Sequence, residues 1–335
     1  MDGTYEAHPA LPSRLTIKPE SEIVSKWKKL TVTPMVSICC ATYNHGEYVE
    51  DAICGFLAQE TDFSFEIIIR DDASEDRTTA IVFDYASRYP NIVRSVINKE
   101  NEFRKGVRPI HVWPKLASGR YLAICEGDDF WISPHKLQRQ VDLLERHQDA
   151  VMSVALTHYF RQDDDAVEYV KTTKPGESEL IYFEELQKYY FHTSTYLIRA
   201  PLFSDIVEQC FSGHTLFGDT ALRAILISHG PFAVLPDVVS VYRMTGKGIW
   251  TSLNREKRLS WEFQSSEKLA TILDGGHRDA ERRRLYQISR ALCYLSLRSG
   301  KLLNGIKWGT RTFRYGMEEA VRRTKRGAQK RFRSS

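Results

Sequence analysis

No apolar run of membrane-spanning length occurs anywhere in the 335 residues, so the chain does not read as one threaded through a bilayer. Its start, Met1-Asp2-Gly3-Thr4-Tyr5-Glu6, lacks the basic stretch leading into an apolar one that marks a secretory leader. CxxC pairs and His/Cys clusters at zinc spacing are absent too. The six cysteines, Cys39, Cys40, Cys54, Cys125, Cys210 and Cys293, are scattered, mostly inside apolar runs, and are expected to be reduced core residues. A cytoplasmic location is the expectation these absences leave. Neither GxGxxG nor GxxxxGK[ST] follows the first strand, which excludes the dinucleotide fingerprint and the P-loop as ways of holding phosphate. Strong net charge is also missing, with 47 Lys and Arg against 43 Asp and Glu.

What is present suits an ordinary globular protein: 42% hydrophobic residues over this length can bury the core of one large α/β domain with an appended subdomain. Residues 1–33 are polar and proline-dotted, with a short helix possible at Glu22 to Lys29, and read as a surface arm. The first clear strand, Val36 to Ala41, ends in the turn residues Asn44-His45-Gly46. Val49, Ala52, Ile53, Phe56 and Leu57 then share one helical face. A second strand, Glu66 to Arg70, carries three β-branched residues in a row, as parallel strands buried on both faces do. A helix to about Arg88, a strand near Ile92 to Ile97 and a short helix starting at Pro114 follow. The next strand, from Tyr121, stops at Glu126-Gly127-Asp128-Asp129.

Alternating strands and helices imply a mainly parallel sheet flanked by helices, with ligand bound outside the carboxyl ends of the strands. Three such ends carry Thr42-Tyr43-Asn44, Asp71-Asp72 and Asp128-Asp129, which places them on one rim. Clustered carboxylates repel one another unless a cation lies between them, and Mg²⁺ prefers to share its shell with substrate phosphates. With no glycine-rich cradle available, a carboxylate-held metal would hold the phosphates of a ligand here. Asp71 and Asp76 have a simpler expectation, that of capping or charging the start of the next helix. The acids Asp163, Asp164 and Asp165 are expected to form a solvated hairpin turn.

Three motifs in order, Val36 to Asn44, Asp71 to Thr78, and Ala117 to Tyr121 running into Glu126 to Trp131, resemble the GT-A fold glycosyltransferases of family 2. The likeness spans about Pro34 to Ser252 and implies the domain order 1–33 arm, 34–252 GT-A domain, 253–315 helical subdomain and 316–335 basic tail. It implies that Thr42, Tyr43, Asn44 and Asp72 hold the nucleoside of a nucleotide-sugar donor, with Asp72 accepting from the base. Asp128 would contact the ribose or a metal-bound water, and Asp129 would hold Mg²⁺ or Mn²⁺ on the diphosphate. Asp219, opening a helix, occupies the place of the catalytic base of inverting transferases, although by itself an acid there reads as a cap. Many relatives carry Tyr-Arg-x-His before a glycine-bearing loop; here Thr245 stands where the histidine would be, and Arg243 and Lys247 are expected to face the diphosphate instead. Trp131, His192, Thr193 and Ser194 suit an acceptor rim, the last three equally suiting turn caps.

Beyond Leu253 the pattern turns helical, with Leu285, Ile288, Leu292 and Leu295 on one face, a break at Ser299-Gly300, and Leu302, Leu303, Ile306 and Phe313 after it, which predicts a helical hairpin. The last 27 residues hold nine Lys and Arg against two Glu, whereas the rest holds 38 against 41. Such a tail would attract an anionic membrane surface at about 1 kcal/mol per basic residue, or simply be solvated. Nucleic acid is not the expected partner, since no recognition motif accompanies the charge. The expected function is inverting, metal-dependent transfer from a nucleotide-diphosphate sugar, a UDP-sugar, to a hydroxyl of a glycan or lipid-linked glycan, at the inner face of a bacterial membrane. A non-catalytic nucleotide-sugar or glycan-binding module that keeps the fold is the competing reading. A nucleotidyltransferase would need a basic glycine-rich loop after the first strand, and none is there.

Overall fold

A computed structural model describes residues 6–7, 14–28, 33–161, 168–169, 176, 178–186, 189–211, 218–245 and 253–333. The chain divides into two compact units, Met1–His214 with His229–Gly246, and Thr215–Ser228 with Lys247–Ser335.

The first unit holds, in chain order, β1 (Glu6–Ala7), α1 (Glu20–Ser25), β2 (Val36–Thr42), α2 (Val49–Leu57), β3 (Phe65–Asp71), α3 (Thr78–Arg88), β4 (Val93–Ile97), α4 (Pro109–Leu116), β5 (Tyr121–Ile124), β6 (Phe130–Trp131), α5 (Lys136–Arg146), β7 (Met152–Arg161), β8 (Glu168–Tyr169), β9 (Leu180–Ile181), α6 (Phe183–Leu186), β10 (Leu197–Arg199) and α7 (Ala200–Ile206). β11 (Phe232–Met244) completes it, after α8 (Gly218–His229), which up to Ser228 belongs to the second unit. Among the described residues one sheet runs β4-β3-β2-β5-β10-β7-β11-β6, with β9 on β11, and β1 pairs with β8 apart from it. The β4, β3, β2 and β5 strands are mutually parallel and β11 is parallel to β7, while β10 runs against both its neighbours, so the sheet is mixed but mainly parallel.

The apolar pattern explains the layers. Ile67, Ile68 and Ile69 are buried in succession in β3, as a strand covered on both faces requires. Val49, Ala52, Ile53, Phe56 and Leu57 of α2 are buried on that core, each large side chain worth about 1.5–3 kcal/mol when removed from water. The amino-terminal segment is more than a surface arm: Ile23 of α1 is in the core, and Trp27 meets Phe65 edge-on at 5.5 Å. α4 begins at Pro109 rather than Pro114; Pro109 takes the favoured first helical position, and Pro114 lies inside the helix. The Asp163 to Asp165 turn lies outside the described residues.

In the second unit the expected hairpin is a set of three long helices, α9 (Arg255–Ile272), α10 (Gly275–Arg298) and α11 (Leu302–Arg333), besides α8. Phe263, Leu285, Ile288, Leu292 and Tyr315 form their shared core. Gly300, at φ 74°, makes a left-handed turn at the Ser299-Gly300 break between α10 and α11. The helix continues without interruption to Arg333, through most of the residues expected to form a basic tail.

Candidate active site

Register brings the polar strand ends together. β2 pairs with β3 so that Thr42 lies opposite Asp71, and with β5 so that Cys39 lies opposite Ile124. Although β5 ends there, the chain keeps alongside β2, Cys125 N–H donating to Cys39 O at 3.2 Å and Gly127 N–H to Ala41 O at 2.9 Å. Asp128 and Asp129 are thereby carried up to the level of Thr42. The approach is close enough to require glycine: a Cβ on Gly127 would stand 2.8 Å from Thr42 Oγ1 and 3.1 Å from His45 Nδ1. Those two buried atoms, Thr42 Oγ1 and His45 Nδ1, have no protein partner. His45, unremarked in the sequence except as a turn residue, also sets its Nε2 3.9 Å from Asp128 Oδ2.

The loops after β2 and β3 are tied to each other. Asn44 N–H donates to Ser74 Oγ at 2.9 Å, and Glu75 N–H donates to Asn44 Oδ1 at 2.8 Å. Asn44 (φ 54°) and Ala73 (φ 63°) are both left-handed, a conformation uncommon for alanine and retained where the surroundings hold it. Here Asp71 holds it, accepting from the Ser74 hydroxyl, from Ser74 N–H at 3.2 Å, and from the Thr79 hydroxyl one helical turn on. Asp76 accepts from Thr78 N–H at 2.9 Å and Gly46 N–H at 2.8 Å. Burial alone would raise its carboxyl, but these bonds and the Thr78 hydroxyl hold it below the ordinary aspartate value. Both acids thus act on loop and helix starts.

Asp72 has a larger part. Its buried carboxylate accepts from Asn98 Nδ2 at 2.5 Å, from the backbone N–H groups of Glu102 and Phe103 at 3.0 Å each, and from Arg70 at 3.3 Å. It therefore anchors the 98–103 loop beside the rim. Tyr43, half-buried, receives a long 3.5 Å bond from Arg104 of the following turn.

The acidic ridge itself is graded. Asp128 is partly open to solvent and Asp129 is buried. Burial first, then the charges of Asp128 and Glu126, push the Asp129 carboxyl well above the usual aspartate range, while the Arg243 N–H, donating to Oδ1 at 2.9 Å, pulls the other way. Among the described residues no group of three or more His, Cys, Asp or Glu side chains is arranged to hold a metal ion. Adjacent carboxylates whose ionisation is penalised by their own crowding do fit a hard cation that completes its shell with phosphate oxygens and water. They do not make an all-protein cage.

Around Asp129 the other expected residues divide. His192 Nδ1 stands 3.5 Å from Asp129 Oδ2 and 2.9 Å from Ser194 Oγ, its ring stacked on Tyr242 at 4.1 Å. Thr193 donates its hydroxyl to Glu126 Oε2 at 3.2 Å. Ser194 and Trp131 are fully buried, joined by Trp131 Nε1–H donating to Ser194 O at 2.8 Å, so both support the ridge from beneath. The Arg243 guanidinium is buried between the Tyr48 and Phe130 rings, at 4.7 and 5.0 Å, and pairs with Asp51 Oδ2 at 2.9 Å. Its backbone meets Asp129 while its side chain faces Asp51. Thr245 directly follows β11, and Lys247 lies outside the described residues.

Sequence patterns gave no hint of Lys136, the first residue of α5. It is wholly buried, its Nζ 4.0 Å over the Trp131 ring without a hydrogen-bond partner. Burial lowers its pKa to about 7. Between that value and the ordinary lysine value the unfolded chain binds more protons than the folded one, so this group makes stability rise with pH across that window. At 1.36 kcal/mol per unit, Lys136→Met is expected to stabilise the protein at pH 7 by up to about 4 kcal/mol, with the gain vanishing near pH 10. Urea unfolding of both forms at pH 6, 7 and 9 measures this, and a variant less stable at every pH would show that the amine has a partner.

Asp219 belongs to the second unit, as the second residue of α8, partly exposed, with Oδ1 accepting from Thr220 N–H at 2.8 Å. That is helix-start geometry for a carboxylate near the positive end of the helix.

A mainly parallel sheet whose strand ends carry an acidic ridge, with no glycine cradle, is the arrangement of the GT-A fold. The chain belongs to glycosyl transferase family 2, whose profile, "Glycosyl transferase family 2", matches residues 37–206. It is a glycosyltransferase, and so an enzyme rather than a binding module. The Mycobacterium tuberculosis (strain ATCC 25618 / H37Rv) protein Rv1520 is 32% identical over 256 residues, 73% of this chain and 70% of that one. An uncharacterized glycosyltransferase of Bacillus subtilis (strain 168), EpsJ, is 29% identical over 178 residues, 51% of this chain and 49% of its own. The crystal structure of S. aureus TarS 1-349 in complex with UDP-GlcNAc shares the fold at a TM-score of 0.54 and 17% identity, over 76% of this chain and 71% of that one.

Proposed function

We propose that this glycosyltransferase moves a sugar, with inversion at the anomeric carbon, from a UDP-sugar to a hydroxyl of a glycan or lipid-linked glycan. The observation that carries the reading is the ridge of Glu126, Asp128 and Asp129 beside the unpartnered Thr42 hydroxyl, on a rim where Asp71, Asp72 and Asp76 are engaged in shaping the neighbouring loops. The similar TarS, solved with UDP-GlcNAc, supports the choice of donor.

In this reading Thr42, Tyr43 and Asn44, with the loop anchored by Asp72, frame the nucleoside, and Asp128 faces the ribose. Asp129, with Asp128 beside it, would hold Mg²⁺ or Mn²⁺, an ion that when bound offsets the charge of the leaving diphosphate. Arg243 fixes Asp129 through its N–H, and Lys247 is the remaining cation for the diphosphate side. His192 and Thr193 line the acceptor side, with Trp131 and Ser194 beneath them. An acceptor hydroxyl has too high a pKa to ionise unaided, so Asp219 takes its proton as the oxygen bonds to the anomeric carbon. The bond from that carbon to the diphosphate oxygen breaks, its electron pair leaves with UDP, and a single displacement inverts the centre.

Enzyme action at the cytoplasmic face of a membrane, with the basic carboxyl-terminal residues attracted to anionic headgroups, completes the proposal. No helix among the described residues is long and apolar enough to cross a membrane. The test is slow release of UDP from a panel of UDP-sugars with Mn²⁺ and its suppression by chelator. Release that is unchanged in chelator would remove the metal from the reading, and release only from GDP-sugars would move the donor assignment.

A further inference from the structure

The carboxyl-terminal helix α11 has two faces of different character. At 1.5 Å per residue its 32 residues reach about 48 Å. One face is packed: Trp308 meets Phe263 edge-on at 4.9 Å, Tyr315 is buried in the same cluster, and its hydroxyl donates to Glu267 at 3.0 Å. On the opposite face Leu303, Ile306, Phe313, Met317 and Val321 recur at helical spacing, and all are more than half exposed, Leu303 at 83% and Phe313 at 72%. Apolar residues scattered singly over a surface need no explanation, whereas a row of five along one helix face marks a contact.

The charge beside this row says which contact. Lys307 and Arg314 are exposed along it, Arg314 lying 3.4 Å from Glu318, and Lys301, just before the helix, pairs with Glu256 at 2.6 Å. The two acids of the helix, Glu318 and Glu319, lie 3.5 and 3.6 Å from Arg322 and are already compensated. Six further Lys and Arg follow in the same helix from Arg323 to Arg333. A second copy of this chain packed on the row through a two-fold axis would bring cations against cations. An apolar stripe bordered by cations instead matches the boundary between acyl chains and anionic headgroups, where helices with these two features lie in the membrane plane.

We propose that the Leu303, Ile306, Phe313, Met317 and Val321 face of α11 inserts into the headgroup region of an anionic bilayer. This deepens the membrane reading above and rests on it, adding to long-range attraction by the basic end a short-range apolar anchor that salt does not screen. A lipid-linked acceptor would be met at that surface.

Full-length protein is sedimented with phosphatidylglycerol/phosphatidylcholine vesicles at about 0.1 M and about 1 M salt, screening lengths of roughly 10 and 3 Å. Wild type should retain part of its binding at high salt. The variant Leu303→Ser, Ile306→Ser, Phe313→Ser should lose that retained part and bind roughly tenfold more weakly at low salt; Phe313→Ser alone serves if the triple variant does not fold. Replacing Arg323, Lys325, Arg326 and Lys330 with Ser should weaken only the low-salt binding. Stripe variants that bind as wild type at both salts overturn the anchor and leave the basic-end attraction standing. Binding that disappears in all forms at 1 M salt does the same. A wild type that binds no vesicles and is a dimer, becoming a monomer in the stripe variant, overturns the proposal in favour of self-association. Metal-dependent UDP release is measured in parallel, so loss of the donor reading is seen separately from loss of the anchor.

Discussion

Asp219→Asn is expected to lower sugar transfer by roughly 10²–10⁴-fold, the usual worth of a positioned general base, with donor affinity almost unchanged. The substitution isolates the proton. Asparagine keeps the shape of the side chain and caps helices about as well as aspartate, so the bond from Thr220 N–H to Oδ1 is preserved. What it cannot do is accept a hydroxyl proton. Nucleotide and ion are assigned to residues of the other unit, Thr42, Asp72, Asp128 and Asp129, so UDP affinity with Mn²⁺ serves as the internal control. If Asp219 serves only as a helix-start residue, the pattern reverses, with near-normal turnover and a small stability change. A transfer rate within about threefold of wild type, against the expectation for a lost base, would remove it from the mechanism.

Asp129→Asn should abolish the Mn²⁺-dependent part of UDP binding and leave the fold intact. Its carboxyl is raised by burial and by the Asp128 and Glu126 charges, so the folded chain holds this proton more tightly than the unfolded one. For such a group, stability is lost as pH rises from the ordinary aspartate value through the raised one, and at neutral pH the ionised form is a burden on the metal-free protein. The amide removes that burden and retains an oxygen to accept the Arg243 N–H. Metal-free Asp129→Asn should therefore be at least as heat-stable as wild type, while titration calorimetry with UDP shows no gain on adding Mn²⁺. A gain equal to that of wild type would sink the assignment of the ion to this residue.

Local patterns in the chain are enough to find the strand ends of the rim. Runs such as Ile67 to Ile69 declare a buried strand, and the polar residue that stops each run declares its end, so Thr42, Asp71 and Asp128 could be grouped before any pairing was known. Partnerships across distance could not be read. The four donors to Asp72 include Asn98 and Phe103, 26 and 31 residues away, and Asn44 finds Ser74 and Glu75 across two strands. Burial of a lysine leaves no periodic trace either, because a single lysine at the start of α5 reads from the sequence as an ordinary solvated cation. The basic end reads as a tail because its charge density outweighs the apolar Met317 and Val321, yet those positions keep helical spacing with Phe313 and the helix runs on through them.

The ties between the β2 and β3 loops have a consequence for how a donor is captured. Fixing a residue's backbone costs about 1–2 kcal/mol in conformational entropy, and for the turns at Asn44, Ala73 and the Asp72-anchored loop that cost falls within folding, because every bond that shapes them comes from the chain itself. Under the proposed assignment, a nucleotide arriving at this rim would meet a preorganised edge, and its contact energy would go into affinity instead of into arranging loops. The rim proposed for the nucleotide is accordingly shaped by the chain's own bonds before a donor arrives.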